Sequence, residues 1–307
     1  MIYNLHSVLM IRPSSFRVNK ETLKNNFFQS EVKNISNDFI LNQALIEFDD
    51  LVDKIKLSGV KVLVYQDDLK FDTPDSIFPN NWISFHENKI IATFPMFANN
   101  RRLERSDGVI AFLEKSNIEI NQVFDYSKAE NSNLFLEGTG SMVLDRINKK
   151  AYCSLSERTN ESLIEEFCDD FKFMPIVFNS FHTVKSKRQV IYHTNVMMCL
   201  ARKYAVICLD SIDDNQERDK VVQSLKDDNK ELIIISENQL SSFAGNMIEL
   251  ETNNDSFIVM SQTAYDSLDY IQIKKIEKHS KIISSSVDII EKCGGGSVRC
   301  MIAEVFN

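Results

Sequence analysis

The sequence lacks several features that would assign it to a common functional class. Its 307 residues contain no basic run, and 35 Lys and Arg stand against 44 Asp and Glu, a net charge of −9. Nucleic-acid binders neutralise phosphates with clustered cations, so this pattern argues against such a partner. A stretch of about 18 apolar residues, which a membrane span requires, is missing. The first residues resemble no secretory signal, and we expect a soluble cytoplasmic protein with no membrane association.

The sequence also contains no motif typical of paired cysteines or of a metal site. None of the six cysteines forms a CxxC pair or lies near a histidine at the spacing of a zinc site, so we predict no metal. In an acidic cytoplasmic chain of this length they are expected to be free thiols. Five of them are interpreted as packing residues, and the sixth, Cys300, is considered below.

Flexible residues are scarce, with 8 glycines and 5 prolines and no Ser/Gly/Pro-rich linker. The sequence therefore predicts one domain over residues 1–307. Short β-branched runs alternate with amphipathic stretches, which is the α/β pattern. Segments 108–113 (GVIAFL), 271–276 (IQIKKI) and 298–306 (VRCMIAEVF) are among the predicted strands. Helices are predicted over Phe39–Leu57, Glu161–Phe173, Asn215–Lys226 and Ser261–Leu268.

The few glycines cluster with polar residues immediately before short apolar strands. Three such clusters are 136–140 (LEGTG), 244–246 (AGN) and 294–300 (GGGSVRC), and polar residues crowd two similar places, 72–82 and 192–195. Loops next to strands are where a scaffold presents chemistry. Five of them indicate a pseudo-repeat whose loops meet at one centre. The triple glycine has no phosphate-loop order and instead allows close approach to the backbone near Cys300.

These motifs, in their order, resemble the guanidino-group-modifying (amidinotransferase, pentein) superfamily. The resemblance covers nearly the whole chain and rests on GGGSVRC, LEGTG, YHTN and PDSIFPNNW. More closely, MIRPSSF, NNFFQ, FPNNW, FANNRRLER, LSERTN and HTNVMM resemble the citrulline-utilisation hydrolases, or citrulline ureidases. The resemblance implies an α/β fold, a pentein five-bladed α/β propeller with pseudo-five-fold ββαβ units around a central active site.

The resemblance also implies the catalytic group. Cys300 would be the nucleophile, His193 the general acid and base, and Glu137 the carboxylate that partners His193 or the substrate. The residue types suit these roles, because a thiolate attacks a planar carbon better than a neutral alcohol does. A histidine can protonate a leaving nitrogen and later activate water. Without the family pattern, Cys300 and His193 would be interpreted as a packed thiol and a structural histidine.

Substrate contacts are expected from six further residues. Asn81 and Asn195 stand where relatives that act on guanidinium groups carry carboxylates, which favours a neutral ureido group because amides both donate and accept. Asp75 remains available to bind a cation. Arg101 and Arg158 resemble the arginines that bind an α-carboxylate, although one of Arg101 and Arg102 is expected to be solvated. Asn246 either contacts the substrate or only forms a turn.

The resulting hypothesis is a cysteine-dependent hydrolase that converts L-citrulline to ornithine, carbon dioxide and ammonia through an S-carbamoyl enzyme, without metal or organic cofactor. One alternative is a relative that acts on guanidines, such as an arginine deiminase or a dimethylarginine dimethylaminohydrolase. A further alternative is a non-catalytic pentein that only binds a ligand. The expected partner is a small amino-acid substrate, and a homodimer is compatible with the size although no interface is readable.

Overall fold

The computed structural model describes residues 7–30 and 34–306, and over these ranges the chain has a mixed α/β fold. The strands are β1 (Ser7–Arg12), β2 (Val62–Gln66), β3 (Ile83–His86), β4 (Ile90–Thr93), β5 (Gln122–Asp125), β6 (Met142–Asp145), β7 (Lys150–Ser154), β8 (Met174–Phe178), β9 (Phe181–Val184), β10 (Lys187–Val190), β11 (Met198–Leu200), β12 (Tyr204–Ile207), β13 (Glu231–Ile234), β14 (Ile248–Glu251), β15 (Ser256–Ser261), β16 (Lys281–Ser285) and β17 (Ala303–Val305). The helices are α1 (Asn37–Leu57), α2 (Asn99–Arg102), α3 (Asp107–Lys115), α4 (Gly138–Ser141), α5 (Glu161–Phe171), α6 (Thr194–Met197), α7 (Asn215–Asp227), α8 (Glu237–Ser241), α9 (Gln262–Ser267), α10 (Tyr270–Glu277) and α11 (Asp288–Gly294). None of the described helices has the length and apolar character needed to cross a bilayer.

Within the described residues, five sheets of three strands repeat one pattern. A central strand pairs antiparallel with one neighbour and parallel with the other, and a crossover helix joins the parallel pair. Four of these sheets are β3-β4-β5, β6-β7-β8, β11-β12-β13 and β14-β15-β16. In the fifth, β17 pairs antiparallel with β1, which itself runs parallel to β2. The two ends of the described chain therefore share one sheet.

All four predicted helices are confirmed, and each has an N-terminal cap. In α1, the Ser36 side chain accepts from the Phe39 backbone N–H, and Ala44, Phe48 and Leu51 are buried at helical spacing. Helices α5, α7 and α9 lie within one or two residues of the other three predicted boundaries. These helices cover the sheets and complete the core.

The predicted strands at 108–113 and 271–276 are wrong, because both segments are helical. In α3, Val109 and Leu113 lie four residues apart on the buried face. In α10, Gln272 and Ile276 do the same, and Asp269 begins the helix with a capping box. A short apolar run does not distinguish a strand from a helix. In both segments the buried residues lie four positions apart, which is the spacing of one helix face.

Candidate active site

Five turns lie close together, each just before the strand that pairs antiparallel with the middle strand of its sheet, and we call them the central turns. They carry Asn81, Glu137, His193, Asn246 and Cys300, which precede β3, β6, β11, β14 and β17 respectively. Turn Pro79–Asn81 contacts α4 and turn Val298–Met301, and α4 also contacts α6. The fold therefore gathers residues that are more than 200 positions apart in the chain.

Cys300 lies in a turn rather than in a strand. The expected strand over 298–306 is instead a 3₁₀ turn, Val298–Met301, followed by β17. The Cys300 side chain is 3% exposed and lines a cavity together with His193. The other five cysteines are also buried, and all six are unpaired.

Two amide side chains bind the sulfur of Cys300. Asn195 Nδ2 lies 3.4 Å and Asn246 Nδ2 lies 3.3 Å from Cys300 Sγ, both as donors. The Asn246 side chain is itself fixed, because its Oδ1 accepts from the Arg299 backbone N–H at 3.0 Å. Neither asparagine lines the cavity that Cys300 and His193 share. The two residues, which the sequence predicted to contact substrate, instead donate to the thiol from outside that cavity.

His193 and Glu137 form a buried pair in which His193 Nε2 lies 2.8 Å from Glu137 Oε2. The other carboxylate oxygen accepts from the Phe97 backbone N–H at 2.9 Å. Burial alone would raise the pKa of Glu137, but the nearby charge of Arg158 and the bond from His193 lower the pKa to about 2. Glu137 is therefore ionised at neutral pH and orients the imidazole.

The imidazole of His193 is neutral at neutral pH. Burial lowers the pKa of His193 to about 4, and the favourable charge of Glu137 offsets this only in part because Arg158 and Arg101 oppose protonation. A neutral ring accepts a proton before it can donate one. Since Nε2 faces Glu137, Nδ1 is the ring nitrogen directed away from this carboxylate.

Gly140 leaves space for Nδ1 of His193. A Cβ atom at this position would lie 2.8 Å from His193 Nδ1 and 2.5 Å from Asn81 Nδ2. The LEGTG motif therefore supplies both the carboxylate of Glu137 and the space that lets His193 and Asn81 approach each other.

The two candidate arginines differ in their bonding. Both are 2% exposed and line the cavity. Arg101 donates through Nε and Nη2 to Glu104, each at 2.9 Å, and through Nη1 to Asn81 Oδ1 at 2.7 Å. Arg158 Nη1 lies 3.6 Å from Glu137, and its Nη2 donates to the Thr22 carbonyl at 3.3 Å and to Asn25 Oδ1, whereas its Nε has no partner among the described residues. Arg158 is thus the arginine with a donor left for a substrate.

Asp75 is the one carboxylate that lines the cavity over the described residues. Its Oδ2 accepts from Asn19 Nδ2 at 2.7 Å, whereas its Oδ1 has no partner there. Burial raises the pKa of Asp75, although Arg101 and Asn19 act in the opposite direction. Asp75 Oδ1 is accordingly available to a substrate N–H.

The cavity is small, with a volume of about 10 Å³, which holds about one water molecule. Residues 13–30 lie over it and contribute Thr22 and Asn26, and Tyr192 closes another side. Asn26 donates to the carbonyls of Gly294 and Gly295, so this segment is docked on the glycine turn. Sequence reasoning missed these three lining residues, although NNFFQ and YHTN contain two of them.

Comparison with solved structures places the fold. The chain matches the apo structure of ArgZ, an arginine dihydrolase from the ornithine-ammonia cycle in Cyanobacteria, with a TM-score of 0.74 and 16% identity over 98% of this chain and 40% of that one. The product-bound N-terminal domain of ArgZ matches with a TM-score of 0.74 and 16% identity, over 97% of this chain and 96% of that one. A dimethylarginine dimethylaminohydrolase variant in adduct with S-methyl-L-thiocitrulline matches with a TM-score of 0.61 and 13% identity, over 99% and 100% of the two chains.

The sequence comparisons lead to the family. No curated protein matches the sequence directly. The profile described as N,N dimethylarginine dimethylhydrolase, eukaryotic, matches residues 12–307, which include all five of the central turns. The chain therefore belongs to that family, within the guanidino-group-modifying (amidinotransferase, pentein) superfamily.

Proposed function

We propose that the protein is a citrulline ureidase, a hydrolase that cleaves a C–N bond of L-citrulline to give ornithine, carbon dioxide and ammonia. The pairing of the charges around the cavity carries the proposal. Among the described lining residues the two guanidinium groups, Arg101 and Arg158, already face Glu104 and Glu137, and Asp75 Oδ1 is the carboxylate oxygen left without a partner. A guanidinium from arginine would meet that single oxygen, and a buried charge without full pairing costs several kcal/mol. A neutral ureido group avoids this penalty.

The substrate would lie with its ureido group near Cys300 and its α-carboxylate on Arg158. The unpartnered Nε of Arg158 suits the α-carboxylate, because a hydrogen bond between a guanidinium N–H and a carboxylate is strengthened by both charges. Asp75 Oδ1 would accept from a ureido N–H, and the Asn81 amide lies beside His193 at the same end. Asn195, by contrast, donates to the sulfur of Cys300. The preference for a neutral ureido group was argued from two amides that stand where relatives carry carboxylates, and it therefore depends on Asn81 alone.

The reaction would proceed through a covalent intermediate. As Cys300 Sγ attacks the ureido carbon, neutral His193 takes the thiol proton. The protonated ring then gives this proton to the δ-nitrogen, the C–N bond breaks, and ornithine leaves behind an S-carbamoyl enzyme. Neutral His193 next takes a proton from water as the water oxygen attacks the carbonyl. The S–C bond breaks, the ring returns the proton to sulfur, and carbamate decomposes to carbon dioxide and ammonia.

A guanidine hydrolase is the second candidate. It is favoured by the unpartnered oxygen of Asp75, which would accept from a guanidinium as well as from a ureido N–H. The family profile is named for a dimethylarginine hydrolase, and ArgZ is described as an arginine dihydrolase. A ligand-binding pentein without catalysis would not need a thiol, a neutral histidine and an ionised carboxylate in one place.

The remaining expectations form part of the same proposal. Five similar sheets and five central turns support a five-bladed α/β propeller, and their common centre supports a single domain over residues 1–307. We further propose a cytoplasmic enzyme that needs no cofactor.

Product analysis with purified protein tests the proposal. Citrulline, arginine and asymmetric dimethylarginine are supplied separately, and ornithine, citrulline and ammonia are quantified. We expect ornithine and ammonia in equal amounts from citrulline, lost in Cys300→Ser and retained in Cys293→Ser, the buried cysteine beside the glycine turn. Citrulline formed from arginine or dimethylarginine, with no ornithine from citrulline, would reject the ureidase in favour of the guanidine hydrolase.

A further inference from the structure

The side-chain amide of Asn81 is held between two polar neighbours in the wall of the catalytic cavity. Its Oδ1 accepts from Arg101 Nη1 at 2.7 Å, and its Nδ2 donates to Asn80 Oδ1 at 3.0 Å. Asn81 is 3% exposed and lines the cavity together with Cys300 and His193. An amide carries an acceptor at one end and donors at the other, so the direction in which it is held decides which of them a ligand meets.

Arg101 is the neighbour that fixes this direction. A guanidinium group only donates, so the atom of Asn81 that faces Arg101 must be the carbonyl oxygen. Asn80 imposes no direction, because its own Nδ2 has no partner among the described residues and its amide can present either end to Asn81. With the oxygen bound to Arg101, the nitrogen of the Asn81 amide faces away from the guanidinium.

The guanidinium of Arg101 is itself fixed. Its Nε and Nη2 donate to the two carboxylate oxygens of Glu104, each at 2.9 Å, and Nη2 also donates to the Phe78 carbonyl at 3.1 Å. Both side chains of this ion pair are buried. Charge-assisted bonds in a paired arrangement add geometric specificity as well as energy. The ion pair therefore holds the Asn81 amide in one of its two orientations.

The nitrogen of this amide lies at the reacting end of the cavity. A Cβ atom on Gly140 would come within 2.5 Å of Asn81 Nδ2 and 2.8 Å of His193 Nδ1, so both nitrogens border the same small space. One N–H of Asn81 bonds to Asn80, which leaves the second for a ligand. A ligand that lies beside His193 thus meets a hydrogen-bond donor.

We propose that Arg101 is a positioning residue that selects a ureido group over a guanidinium group, because it fixes the Asn81 amide with its nitrogen towards the catalytic centre. This inference rests on the proposed function and names the determinant of its substrate class. A ureido oxygen accepts from the Asn81 N–H, and the bond strengthens as Cys300 attacks and negative charge develops on that oxygen. A guanidinium has only donors, so two N–H groups would face each other at the same place.

The charge of Arg101 acts in the same direction as its hydrogen bond, because a cation in the cavity wall repels a guanidinium. A double-mutant cycle with Asn81 separates the two effects. An effect that passes through the amide disappears when the amide is removed, whereas an effect of charge remains.

Binding measurements test the proposal without turnover. Dissociation constants for L-citrulline and L-arginine are measured by calorimetry in the Cys300→Ser background, and their ratio gives the selectivity for citrulline. We expect Arg101→Met to lower this selectivity about tenfold while Asn81 is present, and to leave it unchanged when combined with Asn81→Ala. Arg101→Lys keeps both the charge and a donor for Asn81 Oδ1, so it should retain most of the selectivity.

Arg105→Met is the matched control. Arg105 is a partly buried arginine four residues further along the chain, pairs with Glu130 at 2.7 Å, and does not line the catalytic cavity. Removal of Arg101 leaves the Glu104 carboxylate buried without its partner, which is destabilising. If Arg101→Met does not fold, Arg101→Met combined with Glu104→Gln takes its place, since it removes both charges of the pair.

The same loss of selectivity with and without Asn81 would show that Arg101 acts by its charge and would overturn the proposal. A selectivity that Arg101→Met leaves unchanged, or a preference for arginine in the protein that retains both residues, would overturn it as well. Selective binding of citrulline that depends on both residues, with no ornithine formed from citrulline, would contradict the ureidase alone. Ornithine formation together with a selectivity independent of Arg101 would contradict only this inference.

Discussion

Asn246 Nδ2 lies 3.3 Å from Cys300 Sγ and donates to it, while its own Oδ1 is held by the backbone N–H of Arg299. A residue that sequence reasoning assigned either to substrate or to a turn therefore supports the nucleophile. Asn195 adds a second donor at 3.4 Å. The thiol of Cys300 is thus held by two amide side chains.

Replacing Asn246 by Asp should make the thiol of Cys300 less reactive, because a carboxylate repels a thiolate where an N–H donor stabilised it. We expect the rate of alkylation by iodoacetamide at a fixed pH to fall about tenfold. Asn238→Asp, at an exposed position of α8, is the control. An unchanged alkylation rate would mean that the bond to sulfur has no electrostatic role.

The pH dependence of kcat/KM should reflect the depressed pKa of His193. Burial lowers this pKa to about 4, and the mechanism needs the neutral ring in the free enzyme. Activity should therefore be maintained through pH 6.5 and fall only as the pH approaches 4. An acid limb centred between pH 6 and 7 would contradict a neutral, buried His193.

Gly140→Ala should damage catalysis more than folding. The added Cβ would lie 2.5 Å from Asn81 Nδ2 and 2.8 Å from His193 Nδ1, so both side chains must shift. We expect kcat to fall about a hundredfold, the usual effect of moving a reacting group by about 1 Å. Gly108→Ala is the control, since its neighbour is the flexible end of Tyr65. Similar kcat values for the two variants would be the contrary result.

The two buried arginines should respond differently to replacement by lysine. Arg158→Lys loses the Nε–H proposed to bind the α-carboxylate, so KM for citrulline should rise about tenfold with a smaller change in kcat. Arg101→Lys breaks the paired bonds to Glu104 and should lower Tm instead. The opposite assignment of KM and Tm effects would exchange the roles of the two residues.

Stability should depend on the protonation of Glu47, which is buried and accepts from the backbone N–H groups of Ile289 and Ile290, each at 3.1 Å. Burial raises the pKa of Glu47 to about 7, and these N–H donors offset the rise only in part. The folded protein therefore holds this proton more tightly than the unfolded chain, and stability is lost as the pH rises from about 4.5 to 7.

Glu47→Gln should remove this loss. Between pH 5 and pH 8 the wild type should lose about 2 kcal/mol more unfolding free energy than the variant, measured in urea. Parallel pH dependences for the two proteins would show that Glu47 is ionised throughout.

Much of the secondary structure could be predicted from local pattern, and the errors have a common physical cause. Helix α1 was predictable because its apolar stripe runs for 21 residues and begins at a capping serine. Segments 108–113 and 271–276 were mistaken for strands, because six apolar or mixed residues fit either period and only burial in the fold distinguishes them. A long apolar pattern fits one type of secondary structure. A short pattern fits two types, and the elements packed against it select one of them.

The sequence by itself determined which chemistry the site contains. Rare glycines beside Glu137, Asn246 and Cys300 marked three of the five central turns, and the order of motifs identified the superfamily. These signals are local, because a glycine turn and the residue that it presents are adjacent in the chain.

Only the tertiary structure decided what each polar side chain does at the centre. It turned Asn195 and Asn246 towards the sulfur, committed Arg101 to Glu104, and left Arg158 and Asp75 with unpartnered atoms. The physical reason is that five turns from distant parts of the chain share one small volume. Which donor meets which acceptor there depends on packing across sheets, and no spacing within the sequence records it.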